Sequence, residues 1–146
     1  GIMKSEQIGS MSDQSYEQLT EQFEVNSVGP IKVTNLLLPK LAKNSKVILI
    51  TSRMGSISDN SSGGKYGYRM SKAALNAAGK SLAIDLADRN ISVGIIHPGW
   101  VQTDMTAHSG LLSAEKSASD IMKRIDELSI SSSGTFQHSN GTILDW

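Results

Sequence analysis

Two short apolar runs constrain the fold of this chain more than any other feature. KVILIT (Lys46–Thr51) and the run from Ile91 to Ile96 are rich in β-branched residues and show no regular polar alternation. Such runs are typical of strands that are covered on both faces, as in a parallel sheet with helices on each side. The sequence therefore predicts an α/β fold in which both runs are buried strands.

Helical patterns alternate with these strands. Between Ser15 and Lys43 apolar residues recur mostly at helical intervals, but Pro30 predicts a break or kink after Asn26, so a short helix and a longer one are expected. The alanine-rich segment Tyr68–Arg89 contains no proline and predicts one long helix.

The last part of the chain predicts one more helix and one more strand. Apolar residues stand at helical spacing between a Ser113 cap and Leu128, and a short strand is expected near Gly134 to Gln137. The order helix, strand, helix, strand, helix, strand predicts a right-handed β/α wind with parallel pairing.

The charge balance excludes several classes of partner. Fourteen basic and fourteen acidic side chains provide no net field that would attract nucleic acid or an anionic membrane. No apolar run reaches the roughly 18 residues of a membrane span, and GIMKSEQIGS lacks a hydrophobic signal core. We therefore expect a soluble cytoplasmic protein with a small-molecule or protein partner. With no cysteine and no metal-ligand spacing among the three histidines, no metal site is predicted.

One pair of residues suggests acid–base chemistry. Tyr68 stands four positions before Lys72 at the start of the predicted long helix, so both side chains share one face. The pair follows a loop at the end of a predicted strand, where open α/β sheets bind their ligands. A nearby ammonium favours the phenolate and lowers the pKa of a tyrosine from its usual value of about 10. The pair suits a general acid, Tyr68, and a lysine that adjusts its pKa. An ordinary pair on a helix surface has the same spacing.

Four motifs, in their order along the chain, resemble those of the short-chain dehydrogenase/reductase family. FEVNSVGP resembles the helix with the family's active-site asparagine, and ILITSRMGS the strand that ends at its catalytic serine. YRMSK is similar to the tyrosine–lysine motif, and HPGWVQTDM to the proline–glycine turn and cofactor-facing threonine. The resemblance covers nearly the whole chain. SRMGSISDN, HPGWVQTDM and GTILDW are most similar to the subgroup of C-factor and sniffer-type carbonyl reductases.

The resemblance implies a reaction and a site. The reaction is the NAD(P)(H)-dependent reduction of a carbonyl or oxidation of an alcohol, with NADP(H) or NAD(H) as cofactor. Tyr68 would protonate the carbonyl oxygen, Ser52 would orient it, and Lys72 would lower the tyrosine pKa and hold the nicotinamide ribose. The implied catalytic residues are Asn26, Ser52, Tyr68 and Lys72, and the implied cofactor-binding residues are Tyr68, Lys72, Pro98, Gly99, Val101 and Thr103.

Each position also has a purely structural explanation. Ser52 can cap a strand end, and Asn26 can satisfy backbone groups at the helix break, although the resemblance gives its backbone a part in a water-linked proton relay. Thr103 can cap the following helix as well as contact the nicotinamide amide, and Trp100 can serve packing as well as a substrate wall.

The resemblance also implies a cofactor-binding N-terminal half that residues 1–146 do not contain. The family's glycine-rich pyrophosphate turn, and the residue that selects NAD or NADP, are not found in the sequence. At roughly 30 residues per β/α unit, about 90 residues would precede Gly1 in a complete member. Residues 1–146 are therefore expected to form the C-terminal portion of a single Rossmann-like, doubly wound parallel domain. The strand at Lys46–Thr51 would then have an open edge.

Two functions stay open at this point. One is the oxidoreductase, and the other is a non-catalytic signalling or interaction fragment that lacks the cofactor half. The resemblance also implies a homodimer through the helices that bear Asn26 and Tyr68. A row of small side chains allows another helix to approach closely, namely Ala73, Ala74, Ala77 and Ala78.

Overall fold

Three parallel strands form the centre of the structure, a computed structural model that describes all residues from Gly1 to Trp146. The strand order is β1-β2-β3, and helices connect the strands. This is the Rossmann-like α/β arrangement that the sequence predicts. The strands are β1 (Lys46–Ile50), β2 (Ser92–His97) and β3 (Phe136–His138), and the helices are α1 (Asp13–Phe23), α2 (Gly29–Leu37), α3 (Tyr66–Asp85) and α4 (Ala114–Glu127).

β2 is the buried centre of the sheet, as predicted. Val93 and Ile95 are fully buried beneath α3. Gly79 of α3 approaches so closely that a β-carbon there would lie 2.8 Å from the Ile95 side chain. Gly94 faces the opposite side of the sheet, where its neighbours include Leu128 at the end of α4. The sheet is therefore covered from both sides at β2.

The prediction that β1 is buried on both faces is wrong. Only Leu49 is buried in this strand, and 43% of Ile50 is exposed. The reason is position, because β1 lies at the edge of the sheet and pairs only with β2. The open edge expected from the family resemblance is thus present in the structure.

The break predicted near Pro30 is a change of helix type. A π-helical turn, Glu24–Val28, joins α1 directly to α2. Pro30 lies in the first turn of α2, the part of a helix that tolerates proline best. A short 3-10 turn containing Pro39 follows α2, so the α-helix ends before the predicted Lys43.

The later elements differ from prediction mainly at their ends. α3 begins two residues before Tyr68, and a 3-10 turn, Ala87–Arg89, replaces its predicted last turn. The predicted Ser113 cap of α4 is present, since its hydroxyl accepts a hydrogen bond from the Lys116 N–H at 3.2 Å. None of the helices combines the length and apolar character needed to cross a bilayer.

Candidate functional site

Ser52 lies just beyond β1, beside α3. The residue is 7% exposed, and its hydroxyl caps a 3-10 turn by accepting a hydrogen bond from the Met54 N–H at 3.1 Å. The Ser52 side chain also lies close enough to Tyr68 to lower the pKa of its phenol. Ser52 therefore has the structural role considered from the sequence and, at the same time, a place next to the candidate proton donor.

Tyr68 and Lys72 lie one turn apart on the buried face of α3. Tyr68 is 8% exposed and Lys72 is 6% exposed. The Lys72 Nζ lies 5.8 Å from the centre of the Tyr68 ring and donates a hydrogen bond to the Ile50 carbonyl at 3.0 Å. Ser52, Tyr68 and Lys72 thus meet at the carboxyl end of β1, where a parallel sheet binds its ligands.

Burial dominates the ionisation of this pair. It lowers the pKa of Lys72 to about 8. It also raises the pKa of Tyr68, and the neighbouring Ser52 side chain opposes this rise only in part. The lowered Tyr68 pKa expected from the neighbouring ammonium is not found, because desolvation penalises the phenolate and Lys72 directs its hydrogen bond to the Ile50 carbonyl.

The π-helical turn holds Asn26 against α3. Asn26 is 2% exposed, and its Nδ2 donates to the Ser71 hydroxyl at 3.0 Å and to the Ile2 carbonyl at 2.7 Å. Its Oδ1 accepts from the Ile2 N–H at 2.8 Å, and the neighbouring Ser27 hydroxyl donates to the Ser71 carbonyl at 2.6 Å. The Asn26 side chain is fully used in these contacts, so a part in proton relay would fall to its main chain.

The turn at Pro98 and Gly99 ends β2 at the same edge of the sheet. The Pro98 carbonyl accepts hydrogen bonds from the Ser117 hydroxyl at 2.8 Å and the Ser139 hydroxyl at 3.1 Å. Gly99 has a φ of +91°, and a β-carbon there would lie 2.6 Å from the Leu112 side chain. The backbone angle therefore favours glycine, whereas the contact is with the end of a flexible side chain that can shift.

Residues 100–112, which contain Val101 and Thr103, form a loop whose hydrogen bonds close within it. The Leu112 N–H donates to the Trp100 carbonyl at 3.1 Å, and Val101 forms an isolated β-bridge with Leu112. Thr103 is exposed and caps a 3-10 turn, as the sequence predicts for its structural role. The loop that contains Val101 and Thr103 therefore follows β2 and the turn at Gly99 as a separate hydrogen-bonded unit.

Two histidines at this edge, considered from the sequence only as metal ligands, lie side by side in the structure. His97 and His138 occupy paired positions at the ends of β2 and β3, with ring centres 4.9 Å apart in an edge-to-face arrangement. Burial lowers the pKa of His97 to about 4, and His138 and Arg53 act in the same direction. Burial also lowers the pKa of His138. The signal available in the sequence was that each histidine ends a predicted strand or follows one directly.

Two contacts between α3 and the end of β1 were missed by the sequence reasoning. A β-carbon at Gly55 would lie 2.7 Å from the carbonyl carbon of Lys72, so the turn after Ser52 packs backbone against backbone. The Thr51 hydroxyl donates to the Asn76 Oδ1 at 2.6 Å. No local pattern indicates either contact, because both depend on where α3 lies on the sheet.

Known proteins share this fold and much of this sequence. A family model described as enoyl-(acyl carrier protein) reductase matches residues 1–129. 1-Hydroxy-2-glutathionyl-2-methyl-3-butene dehydrogenase from Rhodococcus sp. is 40% identical over 150 residues, covering 100% of this chain and 65% of that protein. C-signal from Myxococcus xanthus is 40% identical over 139 residues, covering 94% of this chain and 84% of that protein.

Solved structures of carbonyl reductases are similar along the whole chain. The carbonyl reductase Sniffer of D. melanogaster has a TM-score of 0.89 and 35% sequence identity. An NADPH-bound carbonyl reductase from chicken fatty liver has a TM-score of 0.90 and 27% identity. Each comparison covers 100% of this chain but only 63% of the other chain.

Proposed function

Because the chain belongs to the short-chain dehydrogenase/reductase family, we propose that it serves an NAD(P)(H)-dependent oxidoreductase that interconverts a carbonyl and an alcohol. The proposed catalytic residues are Asn26, Ser52, Tyr68 and Lys72. The observation that carries the proposal is Lys72, which is 6% exposed beside Tyr68 and hydrogen-bonds only to a main-chain carbonyl. Burying an ammonium without a carboxylate partner costs stability, so a purely structural role explains it poorly.

The proposed proton transfer follows from the ionisation of these groups. With its pKa raised by burial, Tyr68 is protonated near neutral pH and can give its proton to a carbonyl oxygen. Ser52 can donate a hydrogen bond to the same oxygen and so stabilise the negative charge that develops there. Lys72, with a pKa of about 8, is mostly charged at pH 7 and favours the phenolate that remains. When bound, the reduced nicotinamide supplies the hydride.

The donor set fits the nicotinamide end of such a cofactor. The Lys72 ammonium and the Tyr68 hydroxyl provide the donors that ribose hydroxyls accept. Pro98, Gly99, Val101 and Thr103 follow β2 at the same edge of the sheet. The chicken carbonyl reductase is described as NADPH-bound. We therefore propose NADP(H) or NAD(H), held at its nicotinamide end by these residues.

We propose that residues 1–146 form the C-terminal portion of one Rossmann domain. Two observations support this, namely the 63% of the Sniffer chain that the comparison covers and the open edge of β1. In this proposal a further parallel strand pairs with β1 and covers Ile50. The intact mass of the natural protein tests it, since a mass of 15.6 kDa would contradict the proposal and a larger one would support it.

Substitution of Tyr68 tests the reaction. Tyr68→Phe should lower carbonyl-dependent NADPH oxidation by roughly 100-fold or more, because the proton donor is lost, while leaving NADPH affinity largely unchanged. Tyr66→Phe is the matched control, since Tyr66 lies on the same helix but is 37% exposed. This variant should keep the activity of the wild type. Turnover retained by Tyr68→Phe, or lost equally in both variants, would contradict the assignment.

A second candidate function is a non-catalytic signalling or interaction role. The observation that favours it is the match to C-signal, which covers 84% of that protein. A protein with this role alone needs no cofactor. Titration of NADPH, followed by nicotinamide fluorescence, separates the two candidates, because only the oxidoreductase should bind it saturably.

We also propose that the protein is a homodimer through the helices that bear Asn26 and Tyr68, which are α1 with the π-helical turn that continues it and α3. An apolar groove of about 240 Å³ lies between these helices, lined by Leu19, Thr20, Phe23, Gly67 and Met70. Phe23 is 41% exposed and Met70 is 55% exposed, and large apolar side chains exposed together are typical of contact surfaces. A second copy would place the same groove against itself around a twofold axis.

A further inference from the structure

A buried hydrogen bond joins the end of β1 to α3 directly beside the candidate site. The Thr51 Oγ1 donates to the Asn76 Oδ1 at 2.6 Å, and both residues are 2% exposed. Thr51 immediately precedes Ser52, and Asn76 lies one helical turn after Lys72. One contact therefore joins the two elements that carry the candidate hydrogen-bond and proton donors.

Asn76 has no other side-chain contact that explains an asparagine at this position. Its Nδ2 is buried and has no hydrogen-bond partner. A buried donor without an acceptor lowers stability, and an apolar residue such as the neighbouring Leu75 would avoid this cost. The amide therefore makes its one side-chain hydrogen bond with Thr51.

The contact between α3 and the end of β1 tolerates little movement. The Lys72 Nζ donates to the carbonyl of Ile50, the residue before Thr51, at 3.0 Å. On the other side of Thr51, the turn at Gly55 is in backbone contact with Lys72. A small shift of α3 along β1 would change the Lys72 hydrogen bond and the approach of Ser52 to Tyr68 together.

We infer that Thr51 and Asn76 are positioning residues, whose hydrogen bond fixes α3 along β1 and so sets the distance between Ser52 and the pair Tyr68 and Lys72. The effect on turnover rests on the proposed function. The effect on the surroundings of Lys72 does not, because it follows from the contacts alone.

Four variants separate positioning from stability. Thr51→Val removes the hydroxyl with little change of shape, and Thr51→Ser keeps it. Thr34→Val is the matched control, since Thr34 is 8% exposed and its hydroxyl donates to the Pro30 carbonyl at 2.8 Å, outside the candidate site. The double variant Thr51→Val/Asn76→Leu removes the hydrogen bond without leaving an unpaired amide.

Two readouts apply to each purified protein. The first is the pKa of Lys72, measured by NMR titration of its ¹³Cε, which requires no turnover. The second is kcat and KM for NADPH-dependent reduction of 4-nitrobenzaldehyde. Thermal unfolding of each variant reports its stability separately.

We expect Thr51→Val to raise the Lys72 pKa above its wild-type value of about 8, because a loosened helix admits water to the ammonium. It should lower kcat roughly tenfold with a smaller change in KM, since misplaced donors impair the chemical step. Thr51→Ser should restore both readouts, and Thr34→Val should change neither. The double variant should regain thermal stability and keep the low kcat.

The inference is overturned if Thr51→Val and Thr34→Val have equal effects, or if the double variant has full kcat. If the wild type reduces no carbonyl with NADPH, the proposed function fails, and the Lys72 pKa alone then decides on positioning. A pKa that rises in Thr51→Val but not in Thr34→Val supports it, and an unchanged pKa overturns it.

Discussion

Single residues at the site ionise according to how deeply they are buried. Desolvation is the largest cause of the shifted pKa of Lys72, Tyr68 and His97 alike. Opposite charges have smaller effects because the nearest ion pair, Arg53 with Asp59, is formed between exposed side chains. The pH dependence of this protein should therefore report on water exclusion around single side chains.

Acid should destabilise the protein through His97. Its folded pKa is about 4 and its ordinary value is 6.5, so the unfolded chain binds more protons between these values. The contribution of His97 to stability is fully present above about pH 6.5 and is lost as the pH falls towards 4, by up to about 3 kcal/mol. The groups that face His97 are His138, Arg53 and Asp59. Urea unfolding between pH 4 and pH 7 measures the slope.

The variant His97→Gln should show a smaller loss of stability over this range. His108→Gln is the control, because the His108 side chain is 69% exposed and pairs only with Asp104. Its slope should equal that of the wild type. Equal slopes for His97→Gln and the wild type would show that another group causes the acid sensitivity.

The meeting of Ser52, Tyr68 and Lys72 was predictable residue by residue, whereas their support was not. Each lies in a motif that is readable along the chain, at the end of a strand or on one face of a helix. The contact of Thr51 with Asn76 joins residues 25 positions apart. It depends on the position of α3 along the strands of the sheet, and no periodicity in the sequence specifies that position.

At the scale of elements, local sequence signals predicted where the helices and strands occur, but they did not predict what packs against each of them. The Ser113 cap and the alanines of α3 act within one or two turns, so α4 and α3 occur where the sequence predicts them. The π-helical turn was not predictable, because Pro30 is compatible with both a break and a new first turn. The exposure of β1 depends on which strands pair with it, which its own residues do not specify.

The π-helical turn should depend in part on the Ser27 hydroxyl for its attachment to α3. Ser27→Ala removes the 2.6 Å hydrogen bond to the Ser71 carbonyl, which is buried, and should lower the free energy of unfolding by about 1 kcal/mol. Ser81→Ala is the control, because its hydroxyl donates to the Ala77 carbonyl at 3.2 Å on an exposed helix face. Urea denaturation compares the two. An equal, small change in both variants would contradict this role for Ser27.

At the scale of the whole molecule, the exposed apolar groove between α1 and α3 predicts association. Met70→Glu should shift the protein from dimer to monomer in sedimentation velocity, because a charge would be buried at the proposed interface. Met122→Glu is the matched control, since both methionines are 55% exposed but Met122 lies on α4. A wild type that is monomeric at high concentration would contradict the proposed dimer. The cytoplasmic location expected from the sequence stays a prediction.

The loop at residues 100–112 has a consequence for evolution. Its hydrogen bonds close within the loop, while Ser52, Tyr68 and Lys72 are held by contacts between α3 and the end of β1. Its exposed apolar side chains, among them Trp100 at 51% and Leu111 at 80%, can therefore change without moving the proton donors. Relatives could diverge in what they recognise by exchanging the exposed residues of this segment, and a graft of the loop that keeps Val101 and Thr103 should transfer recognition while leaving the acid–base groups and the proposed cofactor contacts in place.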